Sequence, residues 1–506
     1  MSEQKKIESD VIVIAAGMSG ICAAVAAAEK DASVIVFEKG GTVGGAASMG
    51  MGFFAVESHI QKQQLIGLTV DDAFNRFMNF NHWKADGALV HKLFAQSAST
   101  VKWIEDMGVE FLGAYKYFND SEATWHIPRI PGSNKPSERC ASVIAKSLYD
   151  RAVELGVEFH FNTPVKEIKY DGTQVTGVVA VDENGVEYDA GCDAIVVCTG
   201  GFGDNTEMIR EYLGYEHGKD LFSFRIPGLV GDGMKMVWDI GGGKTTPMIE
   251  LTYESPGGVG GHTVDTVMRQ PNLFVNIDGK RFINEEILAI TPFTGNAIAR
   301  QNGSLGISII TDAIIDYYRE HDIDFNAWHK HVSGMSEWDE SLAHIINNDA
   351  DSGEFNMQGE ILGFTGNEET FFMADSIPEL EEKLKIATGA LQGTVERYNA
   401  MCDAGRDADF SKKQKYLLPI RGKKFYALIY YPGGYGSLGG IRVDDSLKVL
   451  RNDMSAIPGL FSAGSDCCGI FGDTYMFYFP GSTMGFAINS GRMAGYNAID
   501  YIDSLC

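Results

Sequence analysis

Val11-Ile12-Val13-Ile14-Ala15-Ala16-Gly17-Met18-Ser19-Gly20 decides how this chain begins to fold. Four β-branched residues in a row read as a strand buried on both faces. The turn after them carries Gly17 and Gly20, and Ile21 to Lys30 is an Ala-rich run suited to a close-packed helix. A second apolar strand, Ser33 to Phe37, ends at Glu38. Strand, glycine turn, helix, strand and acid, in that order, form the fingerprint of a dinucleotide-binding βαβ unit. Amides at the helix N-terminus, around Gly17, Ser19 and Gly20, would hold a pyrophosphate, and Glu38 would accept from a ribose hydroxyl. One position departs from the pattern. Ala15 stands where the first glycine is expected, and alanine fits there only if its φ stays negative.

The continuation points to FAD rather than NAD. Glu38-Lys39-Gly40-Gly41 leads into Gly44-Gly45-Ala46-Ala47-Ser48-Met49-Gly50, a run of small residues suited to lie against a larger cofactor. Ala194 to Cys198 is another apolar strand, ending in Thr199-Gly200-Gly201. Gly459 to Asp466 reads as strand, turn and polar end, with Gly464 in the turn. Pro480-Gly481-Ser482-Thr483-Met484 then opens a helix running to about Ile502. Its unpaired amides and positive dipole end suit the negative edge of a reduced flavin. With Lys39 and Val165 added, these residues make up the expected cofactor-binding set.

A chain of 506 residues exceeds what one hydrophobic core usually serves, so more than one domain is expected. Net charge is −26, which disfavours nucleic acid and anionic lipid as partners. No apolar run reaches the roughly 20 residues a spanning helix needs. The polar start, Met1 to Asp10, leaves no room for a signal region, so a cytoplasmic protein is expected. The eight cysteines form no Cys-x-x-Cys pair, and Cys467 and Cys468 read as small buried side chains. His329 and His331, within Asn326 to Asn348, lack a complete ligand set, so no metal site is expected. Ile377 to Asn399 reads as one amphipathic helix with Glu379, Glu381 and Glu382 in its first turns.

Taken together, these blocks resemble the fumarate reductase/succinate dehydrogenase flavoprotein family in its soluble branch. Gly231-Asp232-Gly233, Gly279-Lys280-Arg281-Phe282-Ile283-Asn284-Glu285 and Leu438-Gly439-Gly440-Ile441-Arg442-Val443-Asp444 add to the likeness. The resemblance implies an α/β fold, with a Rossmann-type FAD-binding domain formed by both chain ends, residues 1–245 and 431–506. It implies an inserted α+β cap, residues 246–430, with catalysis at the junction. No histidine occupies the Ser48 to Phe54 loop, where the family's covalently flavinylated members resemble one another, so non-covalent FAD is expected.

The chain also departs from this family. Its proton-delivering arginine falls at Ala289, a cap histidine at Gly436 after Tyr435, and a carboxylate-gripping arginine at Ser482. A further substrate histidine falls near Tyr253 or Glu254. Without cationic donors a dicarboxylate would be desolvated with no return, which excludes fumarate and succinate as expected substrates. Aromatic residues stand in their place, in Tyr475-Met476-Phe477-Tyr478-Phe479-Pro480-Gly481 and at Tyr430, Tyr431 and Tyr435. This pattern resembles 3-ketosteroid dehydrogenases, in which a tyrosine and a glycine N–H polarise the substrate carbonyl. Gly481 matches that glycine. The tyrosine falls on Phe477 by strict spacing, with Tyr478 adjacent, and the steroid enzymes' base tyrosine is missing at Ala289.

The function expected is hydride transfer between flavin N5 and a C=C or C–C bond beside a carbonyl in a neutral, ring-containing substrate such as a 3-ketosteroid. Tyr478 or Tyr475, with the Gly481 N–H, would bind the carbonyl oxygen, and Tyr435 or Tyr253 would transfer the proton. Glu254 is an alternative base, and Trp125-His126 reads equally as a pocket wall or as core. Reduction of a plant phenolic, isoflavonoid or cinnamate-like, is the second enzymatic reading, with Arg421, Lys423 and Lys424 the nearest cations for a carboxylate. The third is an electron-transfer subunit of a larger complex. With no second nucleotide fingerprint, a separate electron donor or acceptor is expected.

Overall fold

Val11–Ile14 lies inside a six-stranded sheet, fully buried as its unbroken β-branched run requires. The computed structural model describes residues 4–118, 120–134, 140–223, 226–256, 263–321 and 370–505. Strand order in this sheet is Lys448–Leu450, Ala456–Ser462, Ala194–Val197, Val11–Ile14, Val34–Phe37, Glu158–His160. The four strands from Ala456–Ser462 to Val34–Phe37, and Glu158–His160 after them, pair in parallel. Residues far apart in the chain therefore build one sheet: Ile195 pairs with both Ile12 and Leu460.

The glycine turn forms as the fingerprint requires, but Ala15 corrects one expectation. Its φ is +83°, in the left-handed region, not negative. The Ala15 N–H donates to Phe37 O at 2.8 Å, and a Cβ on Gly20 would collide with the Ala15 carbonyl. The hydrogen bond to Phe37 and the close approach of Gly20 thus dictate the turn, and alanine adopts it at a cost of about 1–2 kcal/mol. The helix begins at Met18, earlier than expected, and runs Met18–Ala28 with every residue buried. It lies against the C-terminal helix Ser482–Asp503. Gly491 and Gly495 face the Ser19 and Ala23 carbonyls so closely that no Cβ would fit at either position.

The chain divides into two compact units. One comprises Met1–Gly214, Arg225–Ile249 and Gly436–Cys506; the other comprises Tyr215–Phe224 and Glu250–Tyr435. The second unit includes Tyr215–Phe224, which the sequence analysis placed in residues 1–245. The reason is pairing: Phe222 and Ser223 are in register with Gly433 and Gly434. The long strand Phe425–Leu438 also runs antiparallel to Gly306–Thr311 and Phe371–Ala374. The core of this unit includes Tyr253, Phe274, Tyr318, Tyr398 and Tyr430.

A second correction concerns Ile377 to Asn399. Two helices form, Ile377–Leu384 and Ala390–Asp403, separated where Lys385 (φ +58°) and Gly389 (φ +82°) turn left-handed. Buried Glu381 accepts from the Gly389 and Gln392 amides at 2.8 and 2.9 Å, so it caps the second helix. Cys467 and Cys468 are both buried. Among the described residues no helix is long and apolar enough to cross a membrane, and no cluster of His, Cys, Asp or Glu is arranged to hold a metal. His329 and His331 lie outside the described residues.

Candidate cofactor and substrate site

Gly17 caps the helix Met18–Ala28 without any side-chain hydrogen bond, so its first amides have no intrahelical partner. Glu38 is fixed at the end of the neighbouring strand. Its Oε2 accepts from Ala16 N at 2.7 Å and its Oε1 from Gly40 N at 2.6 Å. A carboxylate has about four acceptor sites, so two such bonds orient it and leave capacity for ribose hydroxyls. The loop Gly44 to Gly50 returns to the same turn: Gly44 N donates to Ala16 O at 2.8 Å, and the single helical turn Gly45–Met49 carries Ala46, Ala47 and Ser48. Met484 Sδ lies 3.3 Å from where a Gly50 Cβ would sit. Ser19 and Gly464 are likewise adjacent.

Two residues of the expected set, Lys39 and Asp466, are held by groups of the chain itself. Lys39 Nζ donates to Asp232 at 2.8 Å and to the Gly228 carbonyl, holding that segment. Asp466 is wholly buried, and its carboxylate accepts from the amides of Thr199, Gly200 (3.2 Å) and Gly201 (2.8 Å) and from the Thr199 hydroxyl (2.9 Å). Burial pushes its carboxyl above the ordinary range, against the pull of those hydrogen bonds. Asp466 therefore staples the end of Ala194–Val197 to the end of Ala456–Ser462. Val165 begins the strand Val165–Tyr170 in a separate four-stranded sheet, opposite Ala180.

The aromatic segment before the last helix is packed into the three-stranded sheet Phe53–Phe54, Trp125–Pro128, Phe111–Tyr115 and its flanks. Tyr475 is buried with its ring 4.8 Å from Phe471. Tyr478 is half-buried, 4.0 Å from the Phe477 ring and 5.8 Å from Phe80. Phe477 lies 5.7 Å from Phe118. Gly481 has φ +81°, and a Cβ there would come within 2.7 Å of the Phe53–Phe54 backbone. Only glycine fits both constraints. The cation beside this segment, Arg76, lies over the Phe479 ring at 5.5 Å and is paired with Glu122 at 2.6 Å.

His126 takes the core role rather than a pocket wall. It is fully buried, with Nδ1 facing Thr124 O at 2.9 Å and Nε2 facing Ser58 Oγ at 2.7 Å. Burial lowers its pKa to about 4, so the ring is neutral at physiological pH. A neutral ring beside a carbonyl donates from Nδ1, which leaves Nε2 to accept the Ser58 hydroxyl proton.

In the second unit, Tyr253 is 1% exposed and donates its hydroxyl to Leu288 O at 2.7 Å. Burial holds its phenol well above the ordinary range. Arg269 stacks over the Tyr253 ring at 4.2 Å and pairs with Asp265 at 2.7 Å and Glu254 at 3.3 Å. Burial raises the Glu254 carboxyl, while Arg269 opposes that rise. Tyr435 is 43% exposed. Arg421 is paired with Asp403 at 2.6 Å and Lys424 with Asp375, so two of the three expected carboxylate-binding cations already have acidic partners.

A family model described as an FAD binding domain matches residues 10–476. The chain belongs to that family. FAD is the cofactor of this flavoprotein, and FAD-dependent reductases and dehydrogenases acting on C=C groups are among its relatives and structural neighbours. It is 28% identical to a vinyl phenol reductase of Lactiplantibacillus plantarum, over 99% of this chain and 98% of the relative. A fumarate reductase (cytochrome) of Shewanella frigidimarina is 27% identical, over 97% of this chain and 77% of the relative. Among solved structures, a 3-ketosteroid-Δ4-(5α)-dehydrogenase from Rhodococcus jostii shares the fold at TM-score 0.73 and 21% identity, covering 97% of each chain.

The flavoprotein's own residues fit such a cofactor: an uncapped helix start for a pyrophosphate, a pinned acid for a ribose, and a glycine loop beside both. Sequence reasoning missed Asp232 as the partner of Lys39, and Ser437, whose hydroxyl accepts from Phe202 N at 2.7 Å. It also missed Thr124, whose hydroxyl donates to Pro480 O at 3.1 Å. Gly231-Asp232-Gly233 was legible as a block, but no local signal names a lysine 193 residues earlier as its partner.

Proposed function

We propose that this flavoprotein reduces a carbon–carbon double bond conjugated to the ring of a neutral substrate, with a vinyl phenol-type alkene ahead of a 3-ketosteroid. The observation that carries this reading is the Tyr475–Gly481 segment, where aromatic rings surround a backbone turn and the adjoining arginine is already paired. Likeness over nearly the full chain to a vinyl phenol reductase moves the phenolic reading ahead of the steroid placed first from sequence. Gly17, Ser19, Gly20, Glu38, Gly44 to Ser48, Gly50 and the start of the helix Ser482–Asp503 would hold the FAD. When bound, FAD supplies hydride chemistry to a substrate carbon.

The protein's own part is to bind and to polarise. The Gly481 N–H and the Tyr478 hydroxyl donate to the substrate's oxygen. In an enone, hydride addition to the alkene carbon puts negative charge on the ketone oxygen. In a vinyl phenol, once the phenolic proton has left and the terminal alkene carbon has been protonated, hydride addition to the resulting quinone methide puts it on the former phenolic oxygen. Rings of Phe477 and Phe118 exclude water from that oxygen and strengthen both hydrogen bonds. Of the two tyrosines considered for proton transfer, Tyr435 keeps the role. Tyr253 donates its only hydroxyl proton to Leu288 O from a buried site.

The test is anaerobic reoxidation of photoreduced protein, followed at the flavin band near about 450 nm. A vinyl phenol, a 4-ene-3-ketosteroid, a cinnamate and fumarate form the panel. The vinyl phenol is expected to reoxidise the flavin about 100-fold faster than fumarate does. Fastest reoxidation by fumarate or the cinnamate overturns the neutral-substrate reading.

A further inference from the structure

The Pro480–Gly481 peptide and the Gly481–Ser482 peptide after it are each held by one small sheet and its approach. Thr124 Oγ1 donates to Pro480 O at 3.1 Å, and Phe54 N donates to Gly481 O at 2.9 Å. A peptide unit is planar and trans, so fixing the Pro480 carbonyl also fixes the Gly481 N–H on its opposite side. That N–H donates to no group of the chain among the described residues.

Thr124 is itself held by a buried polar chain. Its carbonyl accepts from Ala55 N at 3.1 Å and from His126 Nδ1 at 2.9 Å. Nε2 of the same ring accepts from Ser58, whose oxygen also accepts from Gln61 N at 3.1 Å. Gln61 closes the chain by donating to Ala123 O at 2.8 Å, next to Thr124. Ser58, Gln61, Thr124 and His126 are all 0% exposed. A polar network in a dry interior is costly unless every member is satisfied, and when satisfied it is rigid. Apolar residues would fill this space with less penalty, so the network's distinctive contribution is direction.

We infer that Thr124, braced by His126 and Ser58, is a positioning residue that aims the Gly481 N–H at the substrate oxygen. The inference rests on the proposed role of Gly481 and deepens it: specificity for an oxygen that becomes anionic is set by a hydroxyl that never touches the substrate. An amide misaimed by a few tens of degrees loses most of its hydrogen bond to a developing charge.

The test uses the holoprotein with 4-nitrophenol as a visible probe. Its ionisation when bound is followed by absorbance against pH, in wild type, Thr124→Val and Thr124→Ser. Wild type is expected to bind the probe with its ionisation shifted to lower pH than in free solution. Thr124→Val, nearly the same shape without the hydroxyl, should move that ionisation up by about one pH unit and lower kcat about 10-fold, with KM and flavin content unchanged. Thr124→Ser should restore both. Ser58→Ala, which leaves the Thr124 hydroxyl in place, should give a smaller shift in the same direction. It also serves if Thr124→Val fails to hold flavin. Probe ionisation in flavin-bearing Thr124→Val equal to wild type, or Ser58→Ala equal to wild type where the valine variant does not fold, overturns the inference. If wild type itself does not shift the probe, the role of Gly481 falls, whatever the variants show.

Discussion

Asp466 and Arg281 are both held inside the protein, and the two units neutralise them by different means. Asp466, in the first unit, meets three backbone amides and one hydroxyl. Arg281, in the second, meets the carboxylates of Glu285 at 2.7 Å and Asp407 at 2.9 Å. Lys412, wholly buried, stands 3.5 Å from the same Glu285 and donates to Tyr398 at 2.8 Å. Arg269 repeats the second pattern with Asp265 and Glu254. Amide dipoles orient a charge without adding a full opposite one, whereas ion pairs spend one charge on another. The teaching is about what remains for a ligand. Among the described residues of the second unit, the buried cations Arg269, Arg281 and Lys412 are committed to the unit's own acids, so their presence does not restore a grip for a dicarboxylate.

The contrast can be broken by removing one member of each arrangement. Arg281→Met takes the cation from Asp407 and leaves Glu285 with Lys412 alone of the two cations named, and should cost about 3–5 kcal/mol in urea unfolding. Next in size is a pH effect in the first unit. His126 takes up its proton at about pH 4 when folded and near its ordinary 6.5 when unfolded. Stability is therefore full above pH 6.5 and is lost as pH falls from 6.5 toward 4, by about 3 kcal/mol in total. His126→Gln should flatten that part of the profile in paired unfolding curves at pH 7 and pH 4.5. Asp466→Asn keeps two acceptor positions at most, and should cost about 2 kcal/mol with a measurable fall in flavin content. An Asp466→Asn loss equal to that of Arg281→Met would erase the distinction between the units. Smallest is Ala15→Gly, which removes the left-handed alanine and should stabilise by about 1 kcal/mol, read as a higher thermal midpoint.

The part of the fold written locally was legible. Val11–Ile14, the glycine turn and Val34–Phe37 declare themselves because β-branched runs and glycine spacing are properties of neighbours. Ala15 was misread for the converse reason: an alanine's own preference is negative φ, and the closeness of Gly20 and Phe37 overrules it. The break at Lys385 was hidden because lysine carries no signal for a left-handed cap, although Gly389 does. Asp466 was visible as a polar end of a strand, but its partner Thr199 lies 267 residues earlier. Thr124 gave no sign at all. Its importance depends on a carbonyl 356 residues away, and a threonine just before a short strand attracts no functional reading of its own.

The order of strands in the central sheet has a consequence for synthesis. Ala194–Val197 has Val11–Ile14 on one side and Ala456–Ser462 on the other, and the helix Ser482–Asp503 covers the fingerprint helix. A ribosome that has finished the first two hundred residues has made a sheet with an open edge and an unshielded helix. Both stay so while the entire second unit is translated. The edge of Ala194–Val197 thus stays open until Ala456–Ser462 is made, and a product cut short before Ala456 keeps that unpaired edge, the kind of surface on which chains associate.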